Sequence, residues 1–129
     1  PYSVAGDVYE NRWLGVKLRK PASYRYTHLD AVWPEPGIVA LEGPGREIVI
    51  LDRIAAAPER YLERRGIRGE RRSVRIGRRE GFEVVSSGKA ALVVHAEGDN
   101  WVVITEASAA GALLRKVAMW LEIDGPKNR

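Results

Sequence analysis

The chain has 129 residues, which predicts one domain with a core large enough to fold without a metal ion or a disulfide. It contains no cysteine, so thiolate catalysis, iron–sulfur clusters and disulfide scaffolds are excluded. The formal net charge is +4, and one segment accounts for it, because residues 59–80 hold nine arginines and four glutamates. No apolar run approaches the roughly 20 residues that a membrane-spanning helix needs.

The first half of the chain has the pattern of an antiparallel sheet. Apolar and polar residues alternate over residues 8–20, which predicts one half-buried strand that ends at Pro21. Shorter strands are predicted at residues 24–26, 38–41 and 47–51. The two prolines and the glycine of residues 33–37 indicate a loop.

A short helix and a basic strand are predicted next. Pro58 favours the first turn of a helix that continues to about Arg65, with Gly66 as its stop. Residues 71–79 then alternate with the period of a strand, with Val74 and Ile76 on the apolar side. The polar side of this strand is expected to hold Arg71, Ser73, Arg75 and Arg79.

The last part of the chain predicts a three-stranded meander followed by a helix. The strands are expected at residues 82–85, 90–94 and 101–104, and the helix at residues 107–121. The helix has an apolar stripe formed by Ala110, Leu113, Leu114, Val117, Trp120 and Leu121. The predicted fold class is therefore α+β. A single antiparallel sheet of six to seven strands, a short middle helix and a packed C-terminal helix form one domain over residues 1–125, with a tail at 126–129.

No motif in the sequence announces a catalytic site, a metal or a cofactor. His28, in a predicted loop, and His95, on a predicted strand, do not have the spacing of a metal site. The segment 86–89 ends in Gly-Lys but lacks the spacing and the hydroxyl residue of a phosphate loop, so it is interpreted as a hairpin turn. Glu59 and Glu63 lie beside arginines and are expected on a solvated helix face. The protein is therefore expected not to be an enzyme.

The basic segment is the feature that suggests a partner. Six guanidinium groups are candidates for binding an anionic partner: Arg64, Arg65, Arg68, Arg71, Arg75 and Arg79. The alternative is a solvated face whose arginines pair with neighbouring glutamates, and it is favoured because no aromatic residue alternates with the arginines. Trp33, in the proline-rich loop, is a further candidate contact residue, whereas Trp101 and Trp120 are expected in the core.

The beginning of the chain resembles a known family. Its pattern consists of Tyr9, Asn11, Leu14, Gly15, Val16, Leu18 and Pro21, and it resembles the opening of PsbP-like domains and related bacterial extracytoplasmic domains. After Pro21 the chain departs from the family pattern, because residues 22–24 are Ala-Ser-Tyr where the family has Gly-Trp. The resemblance implies an α+β sandwich with no catalytic residues to carry over.

Two functions follow as expectations. The resemblance implies a non-catalytic accessory or interaction domain, extracytoplasmic or membrane-tethered and part of a larger polypeptide or assembly. Its partner is expected to be another protein or an anionic surface, and a signal, tether or further domain is expected before Pro1. The alternative is a cytoplasmic nucleic-acid-binding module that uses the arginines of residues 64–79.

Overall fold

The computed structural model describes residues 2–12, 15–28, 39–55, 57–86, 88–106 and 112–123. Trp33 and its loop, Ala110 and the tail at 126–129 lie outside these residues. Among the described residues the chain forms eleven strands and two helices. The strands are β1 Tyr2–Ala5, β2 Val8–Asn11, β3 Val16–Arg19, β4 Arg25–His28, β5 Val39–Glu42, β6 Ile48–Ile54, β7 Arg71–Ile76, β8 Arg79–Ser86, β9 Lys89–Glu97, β10 Asn100–Glu106 and β11 Leu121–Ile123. The helices are α1 Pro58–Arg64 and α2 Ala112–Met119.

The described strands form two antiparallel sheets rather than one. The small sheet has the order β1-β2-β3-β11, and the large sheet has the order β4-β5-β6-β10-β9-β8-β7. The predicted α+β class with a single sheet is therefore wrong, because strands dominate the described chain and a second sheet lies beside the first. The predicted meander is confirmed, since β8, β9 and β10 pair antiparallel in chain order.

The second sheet arises because the predicted strand over residues 8–20 is a hairpin. β2 and β3 pair antiparallel, with Tyr9 opposite Leu18. The Gly15 N–H donates to the Arg12 carbonyl oxygen at 3.2 Å, and Gly15 has a φ of 63°, a conformation that glycine adopts without steric penalty. Apolar and polar residues alternate both before and after the turn, so this pattern did not reveal that the chain reverses direction between β2 and β3.

The end of α2 completes the small sheet. The helix was predicted to continue to residue 121, but it ends at Met119, and Leu121 begins β11. β11 pairs antiparallel with β3, with Leu121 opposite Leu18. A periodic apolar pattern does not distinguish a last helical turn from a short strand that finds an open sheet edge.

The large sheet has two faces that differ in what covers them. We call the face toward the small sheet and α2 the inner face. A continuous core fills the space there, and it contains Tyr9, Val16, Leu18, Leu92, Val94, Val102, Ile104, Leu114 and Val117. The opposite side, the outer face, is covered in part by α1, whose Leu62 packs with Phe82, Val84, Val93 and Val103. Leu62 is buried, and the prediction that Gly66 stops α1 is confirmed, with a φ of 71° at Gly66.

Tyr9 and Asn11 of the PsbP-like pattern have packing roles in this structure, whereas Leu14 lies outside the described residues. Tyr9 and Asn11 are buried, and the Asn11 side-chain amide donates to the Tyr9 hydroxyl oxygen at 2.9 Å. The Tyr26 hydroxyl bonds to the carbonyl oxygens of Asp7 and Leu18 at 2.9 and 3.1 Å. Burial raises the pKa of Tyr26 to about 12 and also raises the pKa of Tyr9. This part of the chain joins the small sheet to the core.

Candidate binding face of the large sheet

The predicted basic strand is in fact a hairpin, which divides its arginines between two faces. β7 ends at Ile76, and a two-residue turn with Gly77 at a φ of 60° leads into β8. In the register of this hairpin Ile76 lies opposite Arg79, and Arg75 lies opposite Glu80. Residues that lie opposite each other share a face, so Arg79 is on the inner face with Ile76. The prediction that Arg79 shares a face with Arg71 and Arg75 is therefore wrong.

Arg79 binds backbone groups of both sheets. Its guanidinium Nη1 donates to the carbonyl oxygens of His95, at 3.3 Å, and Ala96. Its Nη2 donates to the carbonyl oxygen of Ile123 at 2.7 Å. Because Ile123 belongs to β11 of the small sheet, this side chain joins the two sheets at one end of the molecule. Such a position indicates a structural role for Arg79.

The arginines in and after α1 have different environments. Arg64 is exposed in the last turn of α1. The Arg65 guanidinium lies 4.8 Å from the centre of the Tyr61 ring, so it packs against the helix. Arg68 forms an exposed ion pair with Glu63 at 3.6 Å and borders the same depression as Arg71. The structure therefore brings Arg68 and Arg71 to one depression.

Arg71 and Arg75 project from the outer face and form exposed ion pairs. Arg71 Nη1 lies 2.7 Å from a carboxylate oxygen of Glu59, and Arg75 Nη2 lies 3.3 Å from one of Glu80. The side chains of the two arginines are 52% and 63% exposed. Exposed pairs of this kind contribute about 0–1 kcal/mol each, so an external carboxylate can replace either glutamate.

Aromatic side chains lie close to Arg71, which the linear sequence did not reveal. Phe82 lies opposite Ser73 in the register of β7 and β8. The Arg71 guanidinium is 3.7 Å from the centre of the Phe82 ring, a cation–π contact. Trp101 is half-buried, and its ring is 6.5 Å from that of Phe82. The signal that would have revealed this juxtaposition is Gly77, because a hairpin turn there sets Phe82 beside Ser73.

These residues line a shallow depression of about 350 Å³. We call it the arginine–aromatic face, and it consists of Arg71, Ser73, Glu80, Gly81, Phe82, His95 and Trp101, together with the neighbouring Arg75. The His95 and Trp101 rings are 4.8 Å apart in an edge-to-face arrangement. His95 Nε2 is 2.8 Å from the Gly98 carbonyl oxygen, so the imidazole is held at the rim. The lining therefore combines aromatic rings with charged side chains.

A second depression lies on the inner side of β7. It has a volume of about 680 Å³, and its lining is mostly apolar. Ile76 of β7, Met119 of α2 and Leu121 of β11 contribute to it, and Arg78 and Arg79 are the cations in its lining. Met119 is 81% exposed. This groove runs from the end of β7 to the last strand of the small sheet.

The inner face beside β7 also carries a strongly bound carboxylate. Glu83 is buried, and the Arg115 guanidinium of α2 donates to both of its carboxylate oxygens, from Nε at 2.9 Å and from Nη2. These hydrogen bonds lower the pKa of Glu83 and raise that of Arg115. The pair fixes α2 to the large sheet.

Neither the comparisons with known proteins nor the arrangement of the described side chains assigns a known activity to the arginine–aromatic face. Family models, curated proteins and solved structures give no match to the chain. Among the described residues, no three His, Asp or Glu side chains are grouped to hold a metal ion. No helix in the described part of the chain is long and apolar enough to cross a membrane.

Proposed function

We propose that this protein is a non-catalytic interaction domain that binds an acidic partner protein through the arginine–aromatic face. The observation that carries the proposal is that the exposed Arg71 and Arg75 share the outer face with the half-buried Trp101, on the part of that face next to α1. Interfaces between proteins are enriched in arginine and aromatic residues, and guanidinium groups bind carboxylates with two parallel hydrogen bonds.

The existing ion pairs are compatible with this role. Both arginines are more than half exposed and are held by single carboxylates that water also reaches. Exchanging Glu59 or Glu80 for a carboxylate of a partner therefore loses little. The buried Phe82 ring lies below Arg71 and holds its guanidinium in position on the surface through a cation–π contact.

The resemblance of residues 9–21 to PsbP-like domains supports an accessory role outside the cytoplasm, as part of a larger polypeptide or assembly. The coding sequence on both sides of the segment that encodes this chain tests that part of the proposal. We expect an export signal, a membrane tether or a further domain in the same reading frame. A start codon directly before Pro1 together with a stop codon directly after Arg129 would contradict it.

The binding surface is tested with a charge-reversed variant and a matched control. The double variant Arg71→Glu/Arg75→Glu changes the arginine–aromatic face. Arg12→Glu/Arg19→Glu makes the same charge change at exposed positions, Arg12 directly after β2 and Arg19 at the end of β3. Arg79 is left intact because its hydrogen bonds join the sheets. Binding of fluorescent poly-glutamate is measured by anisotropy at low and high salt.

We expect the first variant to weaken binding by about tenfold or more and the control to weaken it less. Equal losses in the two variants would show that poly-glutamate responds only to net charge, which would contradict a specific face.

The position of the half-buried Trp101 in the same depression as Arg71 favours single-stranded RNA as a second candidate partner. Stacking of a base on an aromatic side chain contributes about 1–3 kcal/mol in proteins that bind single strands. The test is binding of a labelled oligouridylate of about 12 nucleotides to the wild type and to Trp101→Leu. RNA binding that falls in Trp101→Leu, with poly-glutamate binding unchanged, would favour this candidate over the acidic protein.

A further inference from the structure

β7 is an edge strand with hydrogen-bonding groups directed away from its sheet. Among the described strands it pairs with β8 alone. A two-residue hairpin turn closes on a hydrogen-bonded pair, here Ile76 and Arg79, and hydrogen-bonded and non-hydrogen-bonded pairs then alternate along the ladder. The backbone N–H and C=O groups of Arg71, Ser73 and Arg75 are therefore directed outward.

The charge of this edge selects among the strands that could pair with it. A second copy of β7 would bring arginines close to arginines, and like charges on facing strands are destabilising. An acidic strand would be attracted instead, because its carboxylates would lie beside Arg71 and Arg75 on the outer face. β1, another edge strand, has no charged residue to offer such a partner.

The inner side of β7 favours apolar residues in the same partner. Val74 and Ile76 project there and are half-buried against the core. The apolar groove of about 680 Å³ begins at Ile76 and includes the exposed Met119. Side chains of an added strand alternate between the two faces, so one set would meet arginines and the other would meet this groove.

We propose that β7 accepts an extended acidic segment of a partner protein as an additional antiparallel strand, with acidic and apolar residues alternating along it. This inference rests on the proposed interaction function and specifies its partner. The main-chain hydrogen bonds of β7 supply affinity, and the alternating side chains supply selectivity.

The probe is a fluorescein-labelled peptide of about eight residues in which glutamate and valine alternate. Ser73→Pro removes an outward N–H without removing a bond to β8, because proline is tolerated on edge strands where the N–H faces solvent. Ser73→Ala is the matched control, since it keeps the N–H. A second form of the peptide, N-methylated at every other residue, removes donors from the ligand and leaves the protein unchanged. A lysine–valine peptide tests the charge requirement.

We expect the glutamate–valine peptide to bind in an anisotropy titration, and Ser73→Pro and N-methylation each to weaken binding by about tenfold. Ser73→Ala should bind as the wild type does, and the lysine–valine peptide should not bind. Circular dichroism and thermal melting establish whether Ser73→Pro is folded. If it is not folded, the comparison of the N-methylated peptide with the unmethylated peptide decides the result.

Absence of binding, or equal binding of the methylated and unmethylated peptides, would overturn strand addition. Tighter binding of oligouridylate than of the peptide would also overturn it and would assign the surface to nucleic acid. The proposed interaction function would fail separately, if poly-glutamate did not distinguish Arg71→Glu/Arg75→Glu from Arg12→Glu/Arg19→Glu.

Discussion

The two faces of the β7–β8 hairpin carry similar charged residues with different roles. On the inner face, Arg79 binds three carbonyl oxygens and Glu83 binds Arg115 of α2. On the outer face, Arg71 and Arg75 form exposed pairs with single glutamates. These four residues thus divide into a structural pair, Arg79 and Glu83, and an exchangeable pair, Arg71 and Arg75.

The difference follows from what covers each face. The small sheet and α2 cover the inner face at Arg79 and Glu83, so these two side chains lose much of their contact with water and are satisfied by protein groups. Water reaches the outer face beside α1, and pairs on it are screened and easily replaced. The roles of arginines in a basic segment therefore depend on what covers each side chain rather than on their number.

The largest expected effect comes from replacing one arginine on each face by methionine, which tests whether the two faces differ in their contribution to stability. Arg79→Met removes the hydrogen bonds that join the sheets and leaves carbonyl oxygens without this donor, so we expect a loss of about 2 kcal/mol in the free energy of unfolding. Arg75→Met removes an exposed pair and should change that free energy by about 0.5 kcal/mol or less. Urea denaturation measures both, and equal losses would contradict the assignment of different roles.

The Glu83–Arg115 pair gives a smaller effect that depends on pH. Its hydrogen bonds lower the pKa of Glu83 below the ordinary value of 4.5. The stability that the pair supplies is therefore present above that ordinary value and is lost as the pH falls through the folded-state pKa. We expect Arg115→Gln to lower the denaturation midpoint at pH 7, by less than Arg79→Met does, and to lower it by a smaller amount at pH 3.

The readout for this pair is urea denaturation of wild type and Arg115→Gln at both pH values. Lys116→Gln, which removes the next charge of α2, is the control and should show no such pH dependence. A loss in Arg115→Gln that is the same at pH 7 and pH 3 would show that Arg115 stabilises α2 by packing rather than through Glu83.

The outer pair between Arg71 and Glu59 should give the smallest effect. A double-mutant cycle with Arg71→Met and Glu59→Gln isolates its coupling free energy, which we expect to be about 0.5 kcal/mol or less and to disappear in high salt. A coupling as large as the effect of Arg79→Met would make Arg71 a structural residue and would contradict its availability to a partner.

Local signals in the sequence predicted much of the large sheet. Alternating apolar residues and turn residues located β8, β9 and β10, and Pro58 and Gly66 marked α1. Glu59 and Glu63 were predicted on a solvated helix face, and both are exposed and paired with arginines. These features depend on neighbours in the chain, which is why pattern and turn chemistry were sufficient for them.

The candidate site was predicted only in part. Arg71 and Arg75 were expected on one exposed face and lie there, whereas Arg79 does not. The outer face holds odd-numbered residues of β7 and, after the two-residue turn, even-numbered residues of β8. A prediction of one continuous strand through Gly77 therefore assigned Arg79 to the wrong face. The same omission hid Phe82, which is nine positions from Ser73 in the chain and directly opposite it in the sheet.

By itself the sequence determined that this protein is built from antiparallel strands with a basic middle segment and no cysteine chemistry. The tertiary structure alone decided that the strands form two sheets, that Arg79 joins them, and that aromatic rings lie beside Arg71. The physical reason is that propensity and periodicity are local properties of the chain. Strand pairing, by contrast, depends on which distant edges bury apolar surface and complete their hydrogen bonds together.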